Sequence, residues 1–238
     1  MAAERSKKKI GTLKERSLHA SLKTWLERPG DVFEVEIEGF LIDIVREEKD
    51  LLIEIQTKNF FALKRKLAIL LENHQVRLVH PITSEKWLVK YDDSGEKVLE
   101  RRKSPMRGKI SDVFEELVSI PELFKNSNLT LQLLMIHEEE HRRDDGEGSR
   151  HRNGWSIKDR KLIEVSRSHL FSGPLAFRDF LPKGLPSEFT TTDIADASGE
   201  PRWVSQKVAY CLKKMGAIRQ IGKRGRSYLY SQDKSSVA

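Results

Sequence analysis

Residues 39–60 read GFLIDIVREEKDLLIEIQTKNF. Two apolar runs, FLIDIV and LLIEI, flank a charged turn, which predicts strands near 40–46 and 51–57 covered on both faces. Asp43 interrupts the first run. Glu54 and Gln56 stand two apart in the second, on one face of a strand. A carboxylate inside an apolar run is costly unless it is paired or holds a cation. Two on adjacent strands can converge on one ion, and Mg²⁺ (or Mn²⁺) suits a site of one or two carboxylates completed by water and phosphate oxygens. The blander alternative is a hairpin whose carboxylates are partly exposed and hydrogen-bonded.

Working outward, the spacing of Leu18, Leu22, Trp25 and Leu26 predicts a helix over about 12–27, ended by Pro29-Gly30. VFEVEIE alternates as a half-buried strand near 32–38. Leu63, Leu67, Leu70 and Leu71 mark a helix over about 60–73, and QVRLVHPI and KWLVKY follow as strands. Helix, three strands, helix, two strands predicts an α/β fold with a mixed sheet flanked by helices.

These elements carry a family resemblance. Asp43 with Glu54-x-Gln56 resembles the D…(D/E)-x-K signature of the PD-(D/E)XK phosphodiesterases, a restriction-endonuclease-like fold. Gly11-Thr12-Leu13-Lys14-Glu15-Arg16-Ser17-Leu18 looks like the G-x-x-x-E-R-x-L start of archaeal-type Holliday-junction resolvases. The resemblance covers about residues 8–90. It implies Asp43 and Glu54 as metal ligands, Gln56 as the residue that positions water and Glu15 as an auxiliary acid on the inward stripe of its helix. It also implies DNA as partner, branched or unusual DNA as substrate, and a homodimer. The family usually has Lys where this chain has Gln56. Gln can bond a water but carries no charge. Lys58, two residues on, would share the strand face if the strand continues, and Lys64 or Lys66 of the next helix can reach in. The departure keeps open a DNA-binding regulator whose nuclease-like module is inactive.

At the other end, residues 190–231 read as a helix-turn-helix with a wing. Thr191 or Thr192 caps a short helix, Gly199 makes the turn, and Pro201 opens a helix with an apolar stripe of Val204, Val208, Cys211, Leu212 and Met215. Arg202, Ser205, Gln206 and Lys207 fall near its N-terminal end, the part that meets base edges in such domains. Lys223, Arg224 and Arg226 sit in the hairpin that follows. Residues 201–238 hold nine Lys/Arg against one acid, Asp233, which favours duplex DNA over a protein partner. Trp203 could stack on a base, although core packing is the commoner role of such a residue.

The chain has 238 residues, a net charge of +7 and 33% charged residues, a globular composition with a lean toward polyanions. One cysteine, Cys211, excludes a disulfide framework within the chain. No apolar run suits a membrane span, and a cytoplasmic protein without a secretory leader is expected. His137-Glu138-Glu139-Glu140-His141 matches H-E-x-x-H, but the segment before it alternates like a strand, where that zinc motif does not work. Phe60-Phe61 is read as core. The expected organisation is a nuclease-like core over 1–95, an extension over 96–169 with loops at 92–109 and 142–154, and a winged-helix unit over 170–238. The expected activity is metal-dependent phosphodiester hydrolysis.

Overall fold

The computed structural model describes residues 17–232. It opens with helix α1 (Ser17–Leu26), then strands β1 (Val32–Ile37), β2 (Phe40–Arg46) and β3 (Leu51–Ile55), helix α2 (Lys64–Leu70) and strand β4 (Gln75–Tyr91). β5 (Val98–Lys103), a short α3 (Phe114–Leu117), β6 (Leu129–Arg143) and β7 (Ser156–Ser172) follow. The chain ends in α4 (Gly173–Ala176), β8 (Glu188–Phe189), α5 (Thr191–Ser198), α6 (Arg202–Met215) and the hairpin β9 (Arg219–Arg224), β10 (Ser227–Ser231).

The main sheet has seven strands in the order β1-β2-β3-β4-β6-β7, with β5 pairing to β4. β1, β2 and β3 are antiparallel neighbours. α2 then carries the chain across so that β4 runs parallel to β3, and β6 parallel to β4. The mixed sheet flanked by helices is thus as expected. β3 is buried along its whole length, as its unbroken LLIEI run requires.

One face is covered by α1, whose Leu18, Leu22 and Leu26 pack with Ile44, Ile53, Ile55, Val79, Leu134 and Ile136. The larger core lies on the other face. There α2, the short helices of residues 110–125 and the C-terminal helices share one apolar cluster. Trp25, expected on the inward stripe of α1, is instead 45% exposed.

Three segments depart from expectation. Residues 98–103 lie within the expected loop but form β5, and 156–172, where no element is legible, form β7. QVRLVHPI and KWLVKY join into a single strand across a register shift between Thr83 and Glu85. β5 and β7 are held by cross-strand charge pairs, among them Lys90–Glu100, Lys103–Glu85 and Arg160–Glu138. Their hydrophobic pattern is therefore weak.

The C-terminal elements form a second, three-stranded sheet, β8-β10-β9, against α5 and α6. Thr190, rather than Thr191 or Thr192, caps α5: its side chain accepts from the Asp193 amide while Asp193 accepts from the Thr190 amide. Gly199 and Gly216 end α5 and α6 in the left-handed region, at φ 68° and 85°. Among the described residues, no helix is long and apolar enough to cross a membrane.

Candidate active site

β2 and β3 pair from Arg46↔Leu51 to Ile44↔Ile53, which sets Asp43 against Glu54 where the two strands part. Asp43 Oδ2 accepts the Ile55 amide (2.8 Å) across that parting. Ile42 packs in the α2-side core and Ile44 in the α1-side core, so β2 changes face across Asp43. Opposite, Glu34 of β1 takes a left-handed φ of 52°, unusual for a side chain larger than glycine. The irregularity brings Asp43 and Glu34 to α1, where Lys23 Nζ lies 3.1 Å from Glu34 Oε1 and 3.7 Å from Asp43 Oδ1. His19 Nε2 stands 3.4 Å from Asp43 Oδ2 and 3.2 Å from the Ile55 carbonyl oxygen.

Glu54 is served from the other side. Lys66 Nζ of α2 stands 2.6 Å from Glu54 Oε2 and donates to the Leu41 carbonyl at 2.6 Å. Oε2 is buried, with the Lys66 ammonium against it. The two acids differ accordingly. Burial pushes Asp43 up, but the His19 ring, the Ile55 amide and Lys23 outweigh it and hold that carboxyl below the usual range. Burial and the charge of Asp43 push Glu54 up to about 7, against the pull of Lys66 and His19.

The sign of the resulting pH effect is fixed. A carboxyl raised from 4.5 to about 7 on folding binds more protons folded than unfolded between those values. Stability therefore falls as pH climbs through that window, by about 3 kcal/mol if Glu54 acts alone. Thermal melts of the parent are expected to drop between pH 5 and pH 8, and those of Glu54→Gln to flatten across the same range. An unchanged slope in the variant would place the titration elsewhere.

The remaining expected site residues fare differently. Glu15 lies outside the described residues. The strand face that was to carry Gln56 and Lys58 does not exist, because β3 ends at Ile55 and the chain turns through Asn59, φ 61°. The Gln56 side-chain amide donates to the Lys58 and Asn59 carbonyls (2.6 and 3.2 Å), and Lys58 is exposed on the turn. The Gln56 backbone is pinned to β4, its amide to the Val79 carbonyl (2.9 Å) and its carbonyl to His80 Nδ1–H (2.7 Å). Phe61 is 69% exposed on the outside of the turn, whereas Phe60 is core.

The two neighbouring carboxylates, Asp43 and Glu54, are hard oxygen donors of the kind a divalent cation takes. No three His, Cys, Asp or Glu side chains among the described residues cluster to hold a metal, so a cation would take its other oxygens from water or substrate. H-E-x-x-H lies on β6, where His137 faces Glu164 (2.7 Å) and His141 sits against Tyr91 and Glu139. Burial of the Cys211 thiol pushes it up to about 12, as befits a small core residue.

At the C-terminal unit, Arg202 and Gln206 of α6 line a cleft of about 260 Å³ with Arg226, Ser227 and Tyr228 of the hairpin. Trp203 is 47% exposed, not core, and Lys207 Nζ lies 4.8 Å above its ring. Ser205 is the exception among the expected contact residues. At 1% exposed it faces the core, because α6 turns its 204–205 and 208–209 positions inward. Lys223 stacks on Tyr228, and Arg224 is drawn to Asp193 (3.2 Å) and the Glu188 carbonyl (3.1 Å). Arg202 and Arg226 are exposed.

A family model described as a domain of unknown function (DUF8091) matches residues 16–172, which end with β7. A protein of Treponema pallidum (strain Nichols), described as uncharacterized, is 30% identical over 224 residues, covering 94% of this chain and 88% of that relative. The similarity thus extends past the family segment into the C-terminal unit. No solved structure matches.

Proposed function

Starting from the fact that the chain belongs to the family of the domain of unknown function DUF8091, we propose that it is a metal-dependent DNA endonuclease of PD-(D/E)XK type with a C-terminal winged helix. The observation that carries this reading is the cluster of Asp43, Glu54 and Lys66 where β2 and β3 part. It combines two neighbouring carboxylates, one raised to about 7, with a lysine at 2.6 Å. The order α1, three antiparallel strands, α2 and a parallel β4 supports the nuclease-type core. The helix pair followed by a basic hairpin supports the winged helix.

In this reading Asp43 and Glu54 would hold Mg²⁺ or Mn²⁺, which when bound would polarise a phosphoryl oxygen and make a water more acidic. Lys66 takes the place of the lysine missing at position 56. Its ammonium, against Glu54, would face the charge that builds on the phosphate. Arg202, Gln206, Lys207, Trp203 and Arg226 hold the duplex. The water oxygen would bond to phosphorus as its proton passes to solvent, one phosphorus–oxygen bond would break, and the departing sugar oxygen would take up a proton from solvent.

The test is incubation of duplex, forked and four-way-junction DNA with the full chain in Mg²⁺ or Mn²⁺, beside Glu54→Ala. Cleavage by the parent and not by the variant supports the enzyme. Binding by both without cleavage by either supports a DNA-binding regulator instead.

A further inference from the structure

A groove of about 570 Å³ opens on the sheet between β4, β6, β7 and the segment that joins β5 to α3. Arg107, Arg167, Glu85, His137, His169 and Ser166 are among the residues that line it. A second hollow of about 600 Å³ shares Ile110 and His169 with it and runs on to Ser198 and Glu200 beside the C-terminal helices.

This groove lies on the face that carries Glu54. In the strand register Glu54 is level with Leu78, Leu131 and Phe171, and Arg167 is level with Met135 and Ile82, two same-face positions further along. Strand rise and spacing put the two roughly 20 Å apart.

The groove is built, and it carries surplus positive charge. Its rim is the 104–109 segment, stitched to β4 by the Ser104 amide to the Lys86 carbonyl (2.8 Å) and the Gly108 amide to the Thr83 carbonyl (2.9 Å). Only glycine fits at 108, since a Cβ would lie 2.4 Å from the Thr83 oxygen. Arg107 spends one terminal nitrogen on the Ser104 and Met106 carbonyls (2.6 and 3.0 Å), which aims the guanidinium without neutralising it. Arg167 is exposed on β7 and pairs with no carboxylate among the described residues. Glu85, which also lines the groove, is paired to Lys103 (2.6 Å), and Glu164 Oε1 lies 2.7 Å from His137 Nδ1.

We infer that this groove binds the phosphodiester backbone of a nucleic-acid strand, Arg107 and Arg167 each meeting a phosphate, as a contact distinct from the C-terminal unit. Guanidinium groups match phosphate oxygens in geometry as well as charge. The groove is open and its lining holds no Phe, Tyr or Trp, which suits a passing backbone better than the enclosed base of a free nucleotide. The inference rests on the nucleic-acid reading above.

The experiment measures anisotropy of labelled single-stranded and duplex DNA with the full chain over a salt series. Arg107→Ala/Arg167→Ala is expected to bind roughly tenfold more weakly near 0.1 M salt, with the slope of log affinity against log salt reduced by about 1.5. Arg107→Lys/Arg167→Lys is expected to recover most of the slope. Both positions are exposed, and circular dichroism checks that the variants are folded. Arg202→Ala/Arg226→Ala serves as the comparison. If it weakens binding while the groove variant keeps the parent's affinity and slope, the groove inference is overturned and the nucleic-acid reading stands. If the parent binds neither DNA, both fall. Competition by ADP lost in the groove variant, with DNA binding intact, would make this a free-nucleotide site and also overturn the inference.

Discussion

Lys66→Ala is expected to lower the rate of Mg²⁺-supported DNA cleavage by about 10²–10³-fold, while Gln56→Ala and Lys58→Ala stay within a few-fold of the parent. Lys66 is the cation within 2.6 Å of Glu54, whereas the Gln56 amide is spent on the turn carbonyls. DNA affinity measured without metal should be unchanged in all three variants, because none of them touches the C-terminal helices or the Arg107–Arg167 groove. Single-turnover cleavage of a labelled substrate gives the rates. Loss of activity in Gln56→Ala with retention in Lys66→Ala would return the water-positioning role to position 56.

Glu138→Ala is expected to destabilise the fold by about 3–5 kcal/mol, the range for breaking a buried ion network, and so to lower Tm by roughly 10 °C. Glu138 is fully buried on β6, between Lys86 Nζ at 3.2 Å and Arg160 Nε at 2.9 Å. Glu140, 4% exposed, extends the network to Lys86 (2.9 Å) and Arg142. Arg160 also reaches Thr83 (3.2 Å), and its carbonyl and the neighbouring Asp159 accept from Ser17 of α1 (2.7 Å each). Removing Glu138 strands Arg160, leaves Lys86 to Glu140 alone and loosens the seat of α1, the helix that brings His19 and Lys23 to Asp43. Glu139→Ala on the other face, where Arg101 is its half-exposed partner, should cost less than about 1 kcal/mol. Denaturant melts of the two variants side by side make the comparison. Equal losses would mean that the buried network contributes nothing beyond a surface pair.

The candidate site was legible where hydrophobic pattern and charge collide. Asp43 and Glu54 stand out because each interrupts a buried run, and the structure sets them against each other across β2 and β3. Gln56 and Lys58 were misplaced because period-two reasoning presumes a strand that continues, and it stops at Ile55. His19, Lys23 and Glu34 gave no comparable signal. They matter through a face change in β2 and a left-handed residue in β1, which no local pattern announces. Lys66 was one of two helix lysines in range, and only the packing of α2 selected it. On α6, an N-terminal position for Ser205 was right along the axis and wrong around it, since one residue of rotation separates a surface side chain from a core one.

By itself, the amino-acid order determined which segments must be buried and which must stay wet. From that came a mixed sheet with helices, caps at glycine, and a basic C-terminal unit. Apolar periodicity is a local property, so a reader of local patterns recovers it. Tertiary structure alone decided the extent of β4 to β7, the partner of each buried carboxylate and the position of the Arg107–Arg167 groove. Those depend on charge pairs between residues tens of positions apart, such as Glu138 with Lys86 and Arg160, and such pairs have no period in the chain.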